Sequence, residues 1–225
     1  MKQANIIKKC LGLLIILCSL STLSISYAEH LNVVVTDSNG KKQDQVVIFL
    51  EPQSQLGKVS KPVDIIIDQR DKEFIPFVTV VQKGTSIRFP NSDAIRHHVY
   101  SFSKQFNFQI PLYGNVEPKP IQFNTSGVIP LGCNIHDWMK AFVFVSETPY
   151  FSLSNKSGAA KVNNIPKGKY LAKLYHPSMK NWKSQPGKLI EINGNNVPTI
   201  QLVMKEKKKV FRSFRPPTGG FSSYY

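Results

Sequence analysis

The sequence predicts an all-β protein built around a β-sandwich. Short runs rich in β-branched and aromatic residues recur along the chain, and turn formers separate them. Beyond the first 28 residues, no stretch holds a helical period over three turns.

In chain order, residues 1–28 open with Lys2, Lys8 and Lys9, pass through the apolar stretch Leu11 to Leu17 and close on Ser26-Tyr27-Ala28. That is the pattern of a secretory signal peptide cleaved after Ala28, and it implies a periplasmic mature protein. Ser19, Ser21, Thr22, Ser24 and Ser26 interrupt the apolar run before it reaches the roughly 20 residues that a membrane anchor needs. Next, Leu31 to Asp37, Ser38-Asn39-Gly40 and Val46 to Leu50 read as an opening hairpin.

Eight short strands follow: Val63 to Asp68, Phe77 to Val81, Ser86 to Phe89, His98 to Phe102, Phe106 to Ile110, Ile121 to Phe123, Val128 to Leu131 and Ala141 to Val145. Lys83-Gly84, Pro90-Asn91, Tyr113-Gly114-Asn115 and Ser126-Gly127 mark turns between them. This block, 62–147, has the size of one sandwich. The flanks, 29–61 and 148–204, are expected to form a second small β-sandwich with 62–147 inserted in it; the rival is one domain with long extensions at both ends. Residues 57 in number (148–204) are few for an independent sandwich. Lys205 to Arg215 is strongly basic, and 205–225 reads as a disordered, aromatic-tipped tail.

The chain carries 29 basic and 14 acidic residues; without the three leader lysines the balance is 26 against 14, near +12. Such an excess favours acidic partners and speeds encounter with them. For an exported chain that points to a redox protein with an acidic surface, or to an anionic membrane met by the tail, and away from nucleic acid.

Cys10 and Cys18 leave with the leader, so Cys133 is the single cysteine of the mature chain. A lone exported thiol forms no internal disulfide; it is a buried bystander, half of an intermolecular bridge, or a ligand. Its neighbours favour the ligand. Cys133, His136 and Met139 recur every third residue, so one tight loop can aim thiolate, imidazole and thioether at one point. The remaining imidazole comes from His97 or His98, in another predicted strand. A thiolate and two imidazoles with a weak thioether suit copper cycling between two oxidation states, whereas zinc has little use for a thioether. Alternation along a strand points His97 and His98 to opposite faces, so only one of them can reach that ion.

The run Cys133-Asn134-Ile135-His136-Asp137-Trp138-Met139, preceded by Gly132, resembles the copper site of the cupredoxins, the plastocyanin and amicyanin relatives, and most resembles the short-loop amicyanin type. Asn91-Ser92-Asp93-Ala94-Ile95-Arg96-His97 is similar to the segment that delivers that family's first histidine. The resemblance implies a Greek-key cupredoxin sandwich holding one type 1 copper ion, with His97, Cys133 and His136 as equatorial ligands and Met139 as the axial one. His98 stands where the family has an asparagine, and would be a hydrogen-bonding group beside the ligands. Residues 74–150 also resemble periplasmic proteins called methylamine utilization proteins. The flanks resemble the transthyretin-like or carboxypeptidase-regulatory-like sandwich through the opening hairpin and the turn Ile165-Pro166-Lys167-Gly168-Lys169-Tyr170.

The function these features imply is single-electron transfer, with a non-redox copper carrier or sensor, or a structural envelope module, as the alternative. An enzyme is not expected: multicopper enzymes need further histidine-rich centres, and the chain holds five histidines in all. His176 lacks other ligand types at useful spacing. His30 would not be the mature N-terminus, which falls at Glu29.

Overall fold

The computed structural model describes residues 29–54, 62–179, 185–194 and 199–204. The expected signal peptide (1–28) and basic tail (205–225) lie outside the described residues, as do 55–61 of the first flank. Among the described residues all regular structure is β, in seventeen strands.

Two sandwiches share the chain, each with its own core. The first is made from β3 (Ile65–Ile66) to β12 (Lys140–Ser146). Its larger sheet runs β6 (Val78–Gln82), β12, β11 (Gly127–Gly132), β8 (His97–Phe102), β9 (Asn107–Tyr113). Facing it is the sheet β10 (Ile121–Phe123), β7 (Thr85–Arg88), β3. Ile87, Phe89 and Phe123 from the smaller sheet side meet Val99, Ile110, Ile129, Leu131 and Val143 of the larger one, and Cys133 and Met139 close one end of that core.

All eight runs expected in this block are strands or parts of strands. The one expected over Val63 to Asp68 is broken: it divides into β3 and β4 (Asp68–Arg70), and β4 turns back into β5 (Glu73–Ile75). The turn residues Asp71 and Lys72 have φ of 56° and 57°. Without glycine or asparagine there, the hairpin carries none of the usual residue signals for a turn of this kind.

The second sandwich joins both ends of the described chain. β1 (Glu29–Asp37) lies between β14 (Ala159–Ile165) and β17 (Ile200–Met204). Opposite, β2 (Val47–Pro52) lies between β13 (Phe151–Leu153) and β15 (Gly168–Tyr175), with β16 (Gln185–Ile192) outermost. Leu31, Val33 and Val35 of β1 pack on Ile48 and Leu50 of β2 and on Tyr170, Ala172 and Leu174 of β15.

A third apolar cluster welds the two bodies. Val47 and Phe49 of β2 and Tyr175 of β15 meet Val78, Val128, Phe142 and Phe144 of the first sandwich. β2 and β12 are therefore buried on both faces, and both read as uninterrupted apolar runs, Val46 to Leu50 and Ala141 to Val145.

Candidate metal centre

The centre forms where two strand ends meet. β8 begins at His97, so this side chain is fixed by the sheet from its first residue. Along β8, His97, Val99 and Ser101 alternate inward, at 0%, 0% and 1% exposure, while Phe102 is exposed. β11 ends at Gly132, directly opposite Tyr100, and the chain then turns through 133–139 into β12. Gly132 lets the Tyr100 ring lie close over the strand, because an added Cβ would stand 2.7 Å from its Cζ and push the ring aside. Two backbone bonds close the loop: Cys133 N–H donates to Met139 O at 3.2 Å, and Met139 N–H to His136 O at 2.9 Å.

The fold brings His97, Cys133 and His136 together, with their donor atoms all within 4.8 Å of one another. Cys133 Sγ lies 3.9 Å from His97 Nδ1 and 3.8 Å from His136 Nδ1. An ion bonded at roughly 2.0–2.3 Å to nitrogen and sulfur, in a trigonal plane, would separate those donors by roughly 3.8 Å. The two sulfur-to-nitrogen separations match such an ion. Met139 lies at the foot of the same loop, 1% exposed. Of the four, only His136 reaches solvent, its ring flanked by His97 at 5.0 Å and Trp138 at 5.1 Å between centroids.

Electrostatics bias Cys133 and His136 toward the forms that bind a metal, and His97 away from it. Burial opposes ionisation of Cys133, but a hydrogen bond with His97 and the backbone N–H groups of His98 and Ile135 outweigh it, holding the thiol pKa below its ordinary value. His97 goes the other way: burial lowers its pKa, yet Cys133 and Asp93 together raise it. Burial, then the positive charges of His97 and Lys72, keep His136 below the usual imidazole value. Thiolate and neutral imidazole are the forms that bind a metal.

His98 departs from expectation in how it contributes. Its ring is 5% exposed, stacks on Tyr100 at 5.4 Å, and its Nδ1 has no hydrogen-bond partner. The backbone N–H of His98, and not its imidazole, reaches the Cys133 sulfur. Sequence reasoning also passed over Asp93, whose Oδ2 lies 2.6 Å from His97 Nε2. The signal that could have found it is an acid four residues before the first histidine. His176 has a local partner, its Nδ1 lying 2.6 Å from Ser178 Oγ. Among the described residues, His97, Cys133 and His136 are the one group of three or more His, Cys, Asp or Glu side chains placed to hold a metal.

No protein-family model and no curated protein matches the chain. Among solved structures, a copper-containing nitrite reductase from Thermus scotoductus SA-01 matches at 26% identity and a TM-score of 0.36, covering 43% of this chain and 25% of the reductase. An oxidised variant of amicyanin matches at 19% identity and a TM-score of 0.35, over 36% of this chain and 81% of the amicyanin. A purple cupredoxin from Nitrosopumilus maritimus matches at 22% identity and a TM-score of 0.33, over 37% of this chain and 99% of the cupredoxin. This chain therefore spans a quarter of the reductase and most or all of the two smaller proteins. Each of these likenesses covers less than half of this chain.

Proposed function

We propose that this is a periplasmic type 1 copper protein that passes single electrons between redox partners. The observation that carries the proposal is the convergence of one buried thiol and two imidazoles, of which His136 is the less buried. Copper, when bound, supplies a couple between Cu(II) and Cu(I) that gains and loses one electron without a bond being made to substrate. Cys133, His97 and His136 would hold the ion, with the buried Met139 of the same loop offering a thioether as a further donor. The rigid sandwich keeps those donors in place through each change of charge, which keeps reorganisation small. In this reading a reduced donor protein would supply the electron and an oxidised acceptor would take it past His136, the least buried of the three side chains.

The proposal assigns no reaction to the chain itself. One copper site takes two of five histidines, and His30, His98 and His176 stand in no second cluster among the described residues. The basic balance of the mature chain supports an acidic redox partner, and its tail supports contact with an anionic membrane. The flanking sandwich is read as transthyretin-like, with the copper block inserted into it.

Electron self-exchange measured beside copper release separates the redox role from simple carriage. Fast self-exchange with negligible copper loss to a chelator is the expected result. Slow exchange, with copper handed over on the same timescale, would make the protein a copper carrier.

A further inference from the structure

We infer that Asp93, gripped by the backbone of the Asp71–Lys72 turn, is the positioning residue of the metal centre, fixing the ring of His97 and strengthening it as a donor. The inference rests on the copper reading above.

His97 presents Nδ1 toward the Cys133 sulfur at 3.9 Å and Nε2 toward Asp93 Oδ2 at 2.6 Å. With Nδ1 committed to the ion, the proton must sit on Nε2 and be donated to the carboxylate. One bond thus sets both the tautomer and the tilt of a ring that is 0% exposed.

The carboxylate is itself held. Asp93 Oδ1 accepts the N–H of Asp71 at 2.7 Å, and Oδ2 accepts the N–H of Lys72 at 2.9 Å. Those two N–H groups converge because both turn residues adopt positive φ, a conformation rare for residues with side chains. Asp93 N–H donates to Asn91 Oδ1 at 3.0 Å, and the Asn91 amide donates to Ile95 O at 2.8 Å and Tyr113 O at 3.1 Å, so the loop cannot swing away. The two turn amides leave acceptor positions on the carboxylate free for a further donor. The third bond, the shortest, goes to His97.

Two consequences follow for a bound copper. The carboxylate makes the imidazole more electron-rich, and its negative charge, one ring away from the metal, favours the more highly charged Cu(II) over Cu(I). Removing the charge must therefore weaken Cu(II) binding more than Cu(I) binding and raise the reduction potential.

The test compares the full mature protein with its Asp93→Asn and Asp93→Ala variants. Glu51→Gln, which removes a charge on β2 of the other sandwich, serves as the control. Cu(II) and Cu(I) affinities are read by chelator competition, the potential by redox titration, and metal-free stability by thermal unfolding. Asp93→Asn is expected to weaken Cu(II) binding about 10- to 100-fold, weaken Cu(I) binding less, and raise the potential, with Glu51→Gln unchanged. If Asp93→Asn lowers only the unfolding temperature of the metal-free protein and leaves affinities and potential at wild-type values, Asp93 is merely a brace and the inference falls. Should Asp93→Ala fail to fold, Asp93→Asn decides alone. A wild type that shows no thiolate-to-copper band would overturn the copper reading itself; a blue wild type beside an unperturbed Asp93→Asn would overturn only this inference.

Discussion

Cys133 is the residue on which the centre turns: 2% exposed, drawn toward thiolate by His97 and two backbone N–H groups, and placed between two imidazoles. Cys133→Ser keeps the size and loses the soft donor, so absorption spectroscopy of the copper-loaded variant should show no intense thiolate band while circular dichroism stays that of the wild type. Met139→Leu fills the same space without a thioether. It should leave the band in place and raise the reduction potential, because the weak axial donor supports Cu(II) more than Cu(I). Types and spacing brought Cys133 and His136 out of the sequence, for they share one seven-residue loop with Met139, but left His97 and His98 open, and only the resemblance favoured His97, the one that the fold brings to Cys133. Asp93 was not legible, because the two N–H groups that hold it come from Asp71 and Lys72, 22 and 21 residues earlier. The same reason hides the part His98 plays: a sequence displays its imidazole, whereas the sulfur meets its backbone.

At the scale of the element, strands were easier to read than turns. β12 and β2 announce themselves as continuous apolar runs because each is covered on both faces, by its own core on one side and by the third cluster on the other. β5 went unread, since a two-residue turn of Asp71 and Lys72 depends on positive φ that only the tertiary contact with Asp93 makes worthwhile. Gly158 is the converse case, a turn whose glycine is indispensable. Its φ is 73°, and an added Cβ would sit 2.5 Å from the carbonyl oxygen of Val35. Gly158→Ala should therefore destabilise the protein by at least about 1–2 kcal/mol, seen as a lower denaturant midpoint, without moving the spectrum of bound copper. Tyr175 offers the opposite sign. It is fully buried against Phe144 with a hydroxyl that has no partner, and burial pushes that hydroxyl well above the usual tyrosine pKa. Tyr175→Phe removes the unpaired group, so stability should hold or rise by up to about 1 kcal/mol; a clear loss would mean that the hydroxyl is satisfied in solution.

Across the whole molecule, the pairing of β1 and β2 with strands from 151–204 means that the two flanks share one core although the copper block separates them in sequence. Limited proteolysis within 55–61 should accordingly leave the fragment beginning at Glu29 bound to the remainder through gel filtration under native conditions. Early release of that fragment would contradict a shared core. Phe49, Phe142, Phe144 and Tyr175 tie residues 62–147 to the flanking sandwich. The account as a whole is tested most directly by the visible and EPR spectra of the purified protein with copper added. It predicts an intense sulfur-to-copper charge-transfer band with narrow copper hyperfine splitting. A colourless protein that retains zinc and takes up no copper would contradict it.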